Sequence, residues 1–215
     1  MKLFAHPFSS YCWKVLIALY EGDVAFDYAH LEDPGHSAEL ARLWPIKLFP
    51  VLVDGERVIV ETTAVIEYLA ATQASVAPLI PSDPVAAAEV RMMDRIFDNY
   101  VATPQGKFVY DSLRAEGDRD PYGVAQAGQR LDTIYAWLDE RMASRTWACG
   151  ETFSMADCAA APSLFYADWT REIPAELTHL KAYRARLLAR PSVARCVEDA
   201  RPYRSYFPLG APDRD

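Results

Sequence analysis

Cysteine and histidine are scarce in this 215-residue sequence, which has four of each. The cysteines Cys12, Cys149, Cys158 and Cys196 lie far apart and form no Cys-x-x-Cys pair. Neither a scaffold stapled by disulfides nor a thiolate zinc site is therefore expected. The histidines are dispersed and no H-E-x-x-H motif occurs, so the sequence predicts no metal site.

Basic residues are outnumbered, with 22 Lys and Arg against 30 Asp and Glu, and they form no run. A chain with a formal net charge of −8 does not suit a nucleic acid or an anionic membrane. No apolar run approaches membrane-spanning length, and the first residues lack the features of a secretory signal, so we expect an uncleaved, cytoplasmic protein. P-loop, dinucleotide and G-x-S-x-G motifs are also missing. With 51% hydrophobic and 24% charged residues, the sequence is typical of a folded globular chain.

The first 74 residues alternate between strand-like and helical patterns. A strand-like run at residues 2–6 precedes apolar residues at helical spacing, and a second strand at 25–29 precedes a short helix at 37–43. Asp54-Gly55 is a strong turn signal between strands at 51–53 and 57–60. Thr62 then offers a cap for another helix. The predicted order is βαβαββα.

No strand signal follows residue 74. A proline-rich connector over residues 77–84 indicates a domain boundary, and we predict one domain over 1–76 and an all-helical one over 84–215. Asp83 and Pro84 are typical of a helix start. The first predicted helix of this domain has an apolar face made of Val90, Met93, Phe97, Tyr100 and Val101. Residues 155–169 are apolar on nearly every side, which predicts a central helix packed all round.

The first candidate site is the stretch from Pro7 to Val15, where a predicted strand gives way to a predicted helix. It contains Ser9, Ser10 and Tyr11. Unpaired N–H groups and the positive end of the helix dipole gather at a helix N-terminus, so a hydroxyl there can donate to a developing thiolate. The alternative is that Ser9 or Ser10 only caps the helix.

Two further features precede the second half of the chain. Pro50 stands at the head of the third strand, and a cis Phe49–Pro50 bond would turn the backbone groups of Phe49 outward to pair with a peptide-like ligand, although trans is the commoner form. Glu61 and Thr62 suit a zwitterion, because the carboxylate accepts from an ammonium and the hydroxyl donates to a carboxylate. An ordinary capping threonine is the alternative reading of Thr62.

These features occur together in one order along the chain. They are Phe8-Ser9-Ser10-Tyr11-Cys12-Trp13-Lys14-Val15, Phe49-Pro50-Val51, Glu61-Thr62 and Ser154-Met155-Ala156-Asp157. With the helical second half, they resemble the cytosolic glutathione transferases, especially the serine-dependent branch related to the zeta and theta classes. The fourth is similar to the S/T-x-x-D box of that family, physically a capping box with Asp in place of Glu or Gln. The resemblance covers nearly the whole chain and implies a thioredoxin-like domain, an all-helical domain and a homodimer.

The resemblance also implies how glutathione, the co-substrate, would be held without any metal. Ser9 would hydrogen-bond the sulfur, with Ser10 and Tyr11 as alternatives because adjacent serines leave the alignment ambiguous by one. Phe49, ahead of a cis Pro50, would pair through its backbone with the cysteinyl unit.

The two ends of glutathione would meet other residues. Glu61 and Thr62 would hold the γ-glutamyl end. Lys47 would approach the glycine carboxylate, with His36 as a weaker candidate. The implied activity is the transfer of glutathione to a small hydrophobic electrophile, and the implied role is detoxification.

The electrophile would bind between the two domains. We expect Phe8 and Tyr11 on one side of its pocket and Tyr100, Phe108 or Trp169 on the other. Aromatic residues at helical spacing more often belong to a core, which is the alternative for each residue of the second domain.

Three other functions compete with this one. Ser9-Ser10-Tyr11-Cys12 overlays the Cys-Pro-Tyr-Cys pattern of glutaredoxins, but the first cysteine is missing and Cys12 falls on the apolar face. A maleylacetoacetate isomerase resembles this chain at Ser9-Ser10 and Trp13-Lys14-Val15 but departs from it at Tyr11 and Lys14. The same fold also serves as a non-enzymatic binding or assembly module.

Overall fold

A four-stranded mixed sheet forms the core of the N-terminal domain in the computed structural model, which describes residues 1–215. The strands are β1 (Lys2–Ala5), β2 (Asp27–His30), β3 (Val51–Asp54) and β4 (Arg57–Ile59), in the order β2-β1-β3-β4. β1 pairs parallel to β2 and antiparallel to β3, and β3 pairs antiparallel to β4. Leu3, Phe4 and Ala5 are fully buried in succession, because elements cover both faces of the central strand.

Three helices complete this domain: α1 (Ser10–Glu21), α2 (Pro34–Leu43) and α3 (Thr62–Thr72). The predicted order βαβαββα is confirmed. α2 begins earlier than predicted because the Asp33 side chain accepts from the amides of Gly35 and His36 and caps it. The prediction that Thr62 caps α3 was wrong, since Thr62 is the first helical residue and Glu61 holds the cap position without a side-chain capping bond.

The remainder of the chain is helical. It contains α4 (Pro84–Ile96), α5 (Thr103–Ser112), α6 (Pro121–Met142), α7 (Met155–Thr170), α8 (Thr178–Leu188) and α9 (Pro191–Ala200). α7 packs against α1 and α4, and its side chains are buried from Met155 to Trp169, which confirms the predicted central helix. The expected thioredoxin-like domain followed by an all-helical domain is therefore the observed architecture, while the exact domain limits stay a prediction. None of the helices combines the length and apolar character needed to span a membrane.

One π-helical turn, Phe97–Ala102, joins α4 to α5 and changes which residues face the core. Because a π turn holds more residues than an α turn, it rotates the face that follows. Phe97 and Val101 are buried as predicted, but Tyr100 is exposed. Its predicted place on the apolar face was wrong for this reason.

The capping box predicted at Ser154 is present at the start of α7. The Asp157 carboxylate accepts from the backbone amides of Ser154 and Ala148, both at 2.9 Å, and from the Tyr183 hydroxyl at 2.6 Å. A buried carboxylate with this many donors fixes both the start of the central helix and its contact with α8.

A carboxylate on α1 ties the two domains together. Glu21 accepts two hydrogen bonds from Arg190, at 2.7 and 2.5 Å, and one from Ser192 Oγ at 2.5 Å. Burial acts to raise the pKa of Glu21, but these donors outweigh it and hold the pKa below the ordinary 4.5. A carboxylate with a lowered folded-state pKa stabilises the fold above pH 4.5 and loses that contribution as the pH falls through the lowered value.

We expect Glu21→Gln to lower the free energy of unfolding at pH 7 by about 1–2 kcal/mol, because charge-assisted hydrogen bonds become neutral ones. Urea unfolding of both proteins at several pH values measures the difference, which should shrink as the pH drops below 4.5. A difference that stays constant with pH would mean that the Glu21 charge contributes nothing.

Candidate functional site

At the turn before α1, the Ser9 hydroxyl has a defined hydrogen-bond partner. Ser9 is the N-cap of α1, and its Oγ accepts from the Cys12 amide at 3.3 Å. Trp13 Nε1 donates to the Pro7 carbonyl at 2.5 Å, which fixes the approach of the chain. Since the capping bond uses a lone pair of Oγ, the hydroxyl proton of Ser9 stays free to donate to a ligand. The two alternatives for Ser9, cap or donor, are therefore compatible.

Cys12 lies one turn into α1 and is fully buried. Its Sγ accepts from the His6 amide at 3.4 Å. Burial raises the pKa of the Cys12 thiol to about 12, so it stays protonated at neutral pH. A thiol in this state is a poor attacker in disulfide exchange, which argues against the glutaredoxin alternative.

The backbone at the two other candidate positions is unusual. The Phe49–Pro50 peptide bond is cis, as the family resemblance implies. Glu61 has a φ of 66°, which a non-glycine residue seldom adopts, and its exposed side chain makes no capping bond. Residues held in such conformations cluster at functional sites. The N-terminus of α3 therefore has no side-chain cap.

Ser9, Phe49, Pro50, Glu61 and Thr62 meet at one depression of about 440 Å³, which we call the cis-proline cavity. Its remaining lining residues are Tyr11, Trp44, Leu48, Val60, Arg95, Asp98, Asn99 and Tyr110. The fold therefore brings together the residues predicted to bind glutathione, with two exceptions. Lys47 and His36 line no part of it, and His36 Nδ1 lies 3.1 Å from the His30 carbonyl.

A second depression of about 600 Å³ opens beside the first, and we call it the interdomain cavity. Residues of the thioredoxin-like domain and of α5, α7 and the C-terminal segment line it. They include His6, Phe8, Ser9, Ser10, Tyr11, Phe49, Thr103, Gln105, Lys107, Tyr110, Tyr166, Tyr206, Phe207 and Pro208. Four residues line both cavities, so Ser9 lies where the two meet; the four are Ser9, Tyr11, Phe49 and Tyr110. Ser10 lines only the interdomain cavity.

Three aromatic residues predicted for the electrophile pocket lie elsewhere. Tyr100 lines a separate groove between α4 and α6, because the π turn rotates it outward. Trp169 is buried and packs on Phe207 at a ring-centroid distance of 5.4 Å, behind the cavity wall. Phe108 packs against the core. Of the aromatic residues predicted for the electrophile pocket, only Phe8 and Tyr11 line the interdomain cavity.

A group of charged side chains, buried except for Arg95, borders the cis-proline cavity. Lys14 Nζ, on α1, is 2.6 Å from Asp94 Oδ1 and 2.8 Å from Asp98 Oδ2, and it donates to Thr63 Oγ1 at 3.1 Å. Arg95 also pairs with both aspartates, at 2.7 and 2.5 Å. Two cations and two carboxylates balance, and we call these residues with Thr63 the Lys14 cluster. Burial raises the pKa of Asp98, against the opposing effect of Lys14.

Sequence reasoning missed several residues of the site. Arg95, Asp98 and Asn99 reach the cis-proline cavity from the second domain, and Tyr110 lines both cavities. One signal was available, since Asp94 and Asp98 occupy helix positions four and eight residues after the buried Val90. Charged residues on a predicted core face indicate a buried polar group. No comparable signal marks Tyr206 to Pro208.

Comparisons with known proteins agree with this geometry. Family models described as "Glutathione S-transferase, N-terminal domain" and "Glutathione S-transferase, C-terminal domain" match residues 3–77 and 121–186, together more than half of the chain. The chain is 29% identical over 213 residues to glutathione S-transferase U25 of Arabidopsis thaliana, covering 93% of this chain and 90% of that protein.

Two further similar proteins are one with a different name and one with a solved structure. A stringent starvation protein A homolog of Coxiella burnetii is 28% identical over 166 residues, covering 77% of this chain and 75% of that protein. A crystal structure of a glutathione S-transferase from Methylobacillus flagellatus with glutathione bound is similar at a TM-score of 0.82 and 25% identity, covering 91% of this chain and 98% of that chain.

Proposed function

This chain belongs to the glutathione S-transferase family, and we propose that it is a glutathione transferase that conjugates glutathione to a small hydrophobic electrophile. In this proposal glutathione occupies the cis-proline cavity and the electrophile occupies the interdomain cavity. The observation that carries it is the position of Ser9 on the lining of both. A sulfur beside Ser9 would face the second substrate directly, and such positioning is worth effective molarities of about 10⁵ M or more.

The γ-glutamyl end carries an ammonium and a carboxylate, and the lining of the cis-proline cavity contains groups that suit both. We propose that Glu61 accepts from its ammonium and that Thr62, with the open N-terminus of α3, donates to its carboxylate. Arg95 adds a cation to the same lining, and Asp98 adds a carboxylate. The backbone of Phe49 would pair with the cysteinyl unit. The contact proposed for Lys47 with the glycine carboxylate has no support in this lining.

The reaction needs few protein groups. The glutathione thiol loses its proton to water, the thiolate forms a bond to an electrophilic carbon, and a leaving group departs with its electron pair. We propose that Ser9 donates a hydrogen bond to the thiolate, with Tyr11 as the alternative on the shared lining and Ser10 as the less favoured one. Burial raises the pKa of the Tyr11 phenol, so it too is protonated at neutral pH and able to donate.

The aromatic lining of the interdomain cavity favours an apolar electrophile. The aromatic residues that contribute to it include Phe8, Tyr11, Tyr110, Tyr166 and Phe207. The proposed pocket does not include Tyr100, Phe108 or Trp169. We also propose a cytoplasmic location and a detoxifying role, on the family resemblance alone.

Titration calorimetry with glutathione, followed by a conjugation assay with chlorodinitrobenzene, tests the proposal. Binding heat and glutathione-dependent product are expected together. Glutathione binding without turnover on a panel of aryl halides and activated alkenes would favour the second candidate, a binding or assembly module. The stringent starvation protein A homolog among the relatives supports that candidate. Absence of binding heat at millimolar glutathione would exclude the transferase.

The isomerase alternative has weaker support. It depends on Ser9-Ser10 and Trp13-Lys14-Val15, and neither cavity adds an observation in its favour. Conversion of maleylacetoacetate by the purified protein with catalytic glutathione would establish it.

We propose a homodimer as well, because an exposed groove of about 630 Å³ between α4 and α6 remains uncovered in the single chain. Tyr100 and Trp137 line it with Ile96 and Ile134, and both aromatic side chains are at least 40% exposed. A patch of this kind is typical of a protein interface.

Trp137→Glu is expected to convert the dimer to a monomer at micromolar concentration, because it places a charge in an apolar interface. Sedimentation velocity measures the change. Tyr122→Glu alters a more exposed aromatic residue of α6 that lies outside the groove, and it should leave the dimer intact. A wild-type protein that sediments as a monomer, or a Trp137→Glu dimer, contradicts the assignment.

A further inference from the structure

The interdomain cavity is closed on one side by Tyr206, Phe207 and Pro208, which follow α9. Phe207 is buried, and its ring centroid lies 5.4 Å from that of Trp169 and 6.4 Å from that of Tyr166, both on α7. One edge of this C-terminal wall, as we call residues 206–208, therefore rests on the helical domain.

Hydrogen bonds connect the opposite edge of the wall to residues at the end of β2, in the other domain. The Tyr206 hydroxyl donates to Glu32 Oε1 at 2.7 Å, and the Tyr203 hydroxyl lies 3.1 Å from His30 Nε2. The His6 ring packs against both tyrosines, at centroid distances of 4.8 and 6.0 Å. Neither Glu32 nor His30 lines the cavity. These contacts link the wall to residues that the proposed chemistry does not use.

The backbone contacts of His6 and His30 determine which nitrogen of each ring carries the proton. His6 Nδ1 accepts from the Phe8 amide at 3.1 Å, and His30 Nδ1 accepts from the Glu32 amide at 3.2 Å. A neutral ring that accepts at Nδ1 carries its proton on Nε2. His6 Nε2 can then donate toward Glu32 Oε1, 3.5 Å away, and His30 Nε2 toward Tyr203. Although ligand atoms of His6, His30 and Glu32 lie within 4.8 Å of one another, protonated nitrogens suit hydrogen bonds and oppose a metal ion.

We infer that Glu32 and His30 are positioning residues for the electrophile, since they hold in place the C-terminal wall, which lines the interdomain cavity together with Ser9. The inference rests on the proposed function, because it assigns the electrophile to that cavity. Loosening the wall lowers the fraction of molecules with a formed cavity, which raises the KM for the electrophile and leaves the cis-proline cavity unchanged.

Glu32→Ala and Tyr206→Phe test the inference. Each should raise the KM for chlorodinitrobenzene about three- to fivefold, as expected for loss of one hydrogen bond, with the Kd for glutathione unchanged. The double variant should be no worse than Glu32→Ala, because the bond that Tyr206→Phe removes is already lost in that variant. Glu32→Gln keeps an acceptor and should restore most of the loss. Glu39→Ala is the control, since Glu39 pairs with Lys2 on the same domain, away from the wall.

A second readout does not depend on turnover. Hydrogen exchange of the amides at 203–210 should be faster in Glu32→Ala than in wild type and near normal in Glu32→Gln. Unchanged exchange there overturns the inference whether or not the protein is a transferase. Unchanged KM with faster exchange overturns it as well. If wild type forms no product while exchange responds as expected, the proposed function fails and the positioning of the wall stands.

Discussion

Lys14→Met should lower the free energy of unfolding by about 3–5 kcal/mol at pH 7, the typical cost of removing one partner from a buried ion pair. The Lys14 side chain is only 1% exposed, and it contacts Asp94 and Asp98 at 2.6 and 2.8 Å. Methionine retains the unbranched stem, so the packing loss is small. The variant leaves two buried carboxylates with Arg95 alone, which is one uncompensated negative charge. Urea unfolding followed by circular dichroism measures the change.

Two companion variants separate charge from packing. The Thr63 hydroxyl donates to Asp94 Oδ2 at 2.7 Å. Lys14→Met/Asp94→Asn restores the charge balance and keeps an acceptor for Thr63, so it should recover at least half of the lost stability. Arg91→Met breaks a pair with Glu67 at 2.6 Å between the same two domains, but both side chains are 40% or more exposed. That loss should stay below about 1 kcal/mol. If Lys14→Met costs no more than Arg91→Met, the Lys14 cluster does not hold the domains together.

The fold was predictable because local signals and hydrophobic period agree over most of the chain. Asp54-Gly55 specifies its hairpin, Asp83 with Pro84 starts α4, and the predominantly apolar stretch from Met155 to Trp169 is a central helix. The predictions that failed are those in which the tertiary structure overrides a local sequence preference. A threonine before an apolar helix is a good cap by propensity, yet Thr62 is inside α3 because Glu61 takes a left-handed φ of 66°.

The candidate site also has a part that the sequence predicts and a part that it does not. Ser9, Phe49, Glu61 and Thr62 are adjacent in space because each stands at a strand end or helix start on one edge of the sheet, which sequence order and strand topology predict. The contribution of the second domain depends on how two packed domains are oriented. Tyr110 and the C-terminal wall reach the cavities through that orientation, and a helical period alone does not encode it. Trp169 was misplaced for the same reason, whereas Tyr100 was misplaced because the π turn after α4 rotates it outward.

Ser9→Ala is expected to raise the pKa of the bound glutathione thiol by about one to two units, because a hydrogen bond to a charged group is worth about 1.5–3 kcal/mol. The ordinary thiol, with a pKa of about 8.5, is about 3% ionised at pH 7, whereas a thiol with a pKa two units lower is about 75% ionised. Intrinsic nucleophilicity falls roughly tenfold over the same two units, so ionisation alone changes the rate at pH 7 only a few-fold. Loss of a fixed sulfur position adds to this, and we expect turnover at pH 7 to fall by about tenfold or more.

Affinity should change less than turnover. Because bound and free thiols differ in pKa, linkage makes glutathione binding at pH 7 tighter by about fourfold when the bound thiol lies two units lower. The Kd of Ser9→Ala should therefore rise by no more than about fivefold at pH 7. At pH 6 the linkage effect falls to about 1.3-fold, because only about a quarter of the wild-type bound thiol is ionised there. Calorimetry at both pH values, with the thiolate absorbance followed against pH, provides the data.

Removing the hydroxyl also removes the N-cap of α1, which is worth about 1 kcal/mol, so thermal unfolding must show that Ser9→Ala stays folded under the assay conditions. Ser9→Thr keeps both the cap and the donor and should restore the low thiol pKa. Ser10→Ala and Tyr11→Phe should leave that pKa unchanged. If either of them raises it while Ser9→Ala does not, the donor is that residue, and Ser9 is a cap alone. If all three variants keep the wild-type pKa, no hydroxyl of this turn stabilises the thiolate, and the activity depends on positioning of the sulfur by the cis-proline cavity.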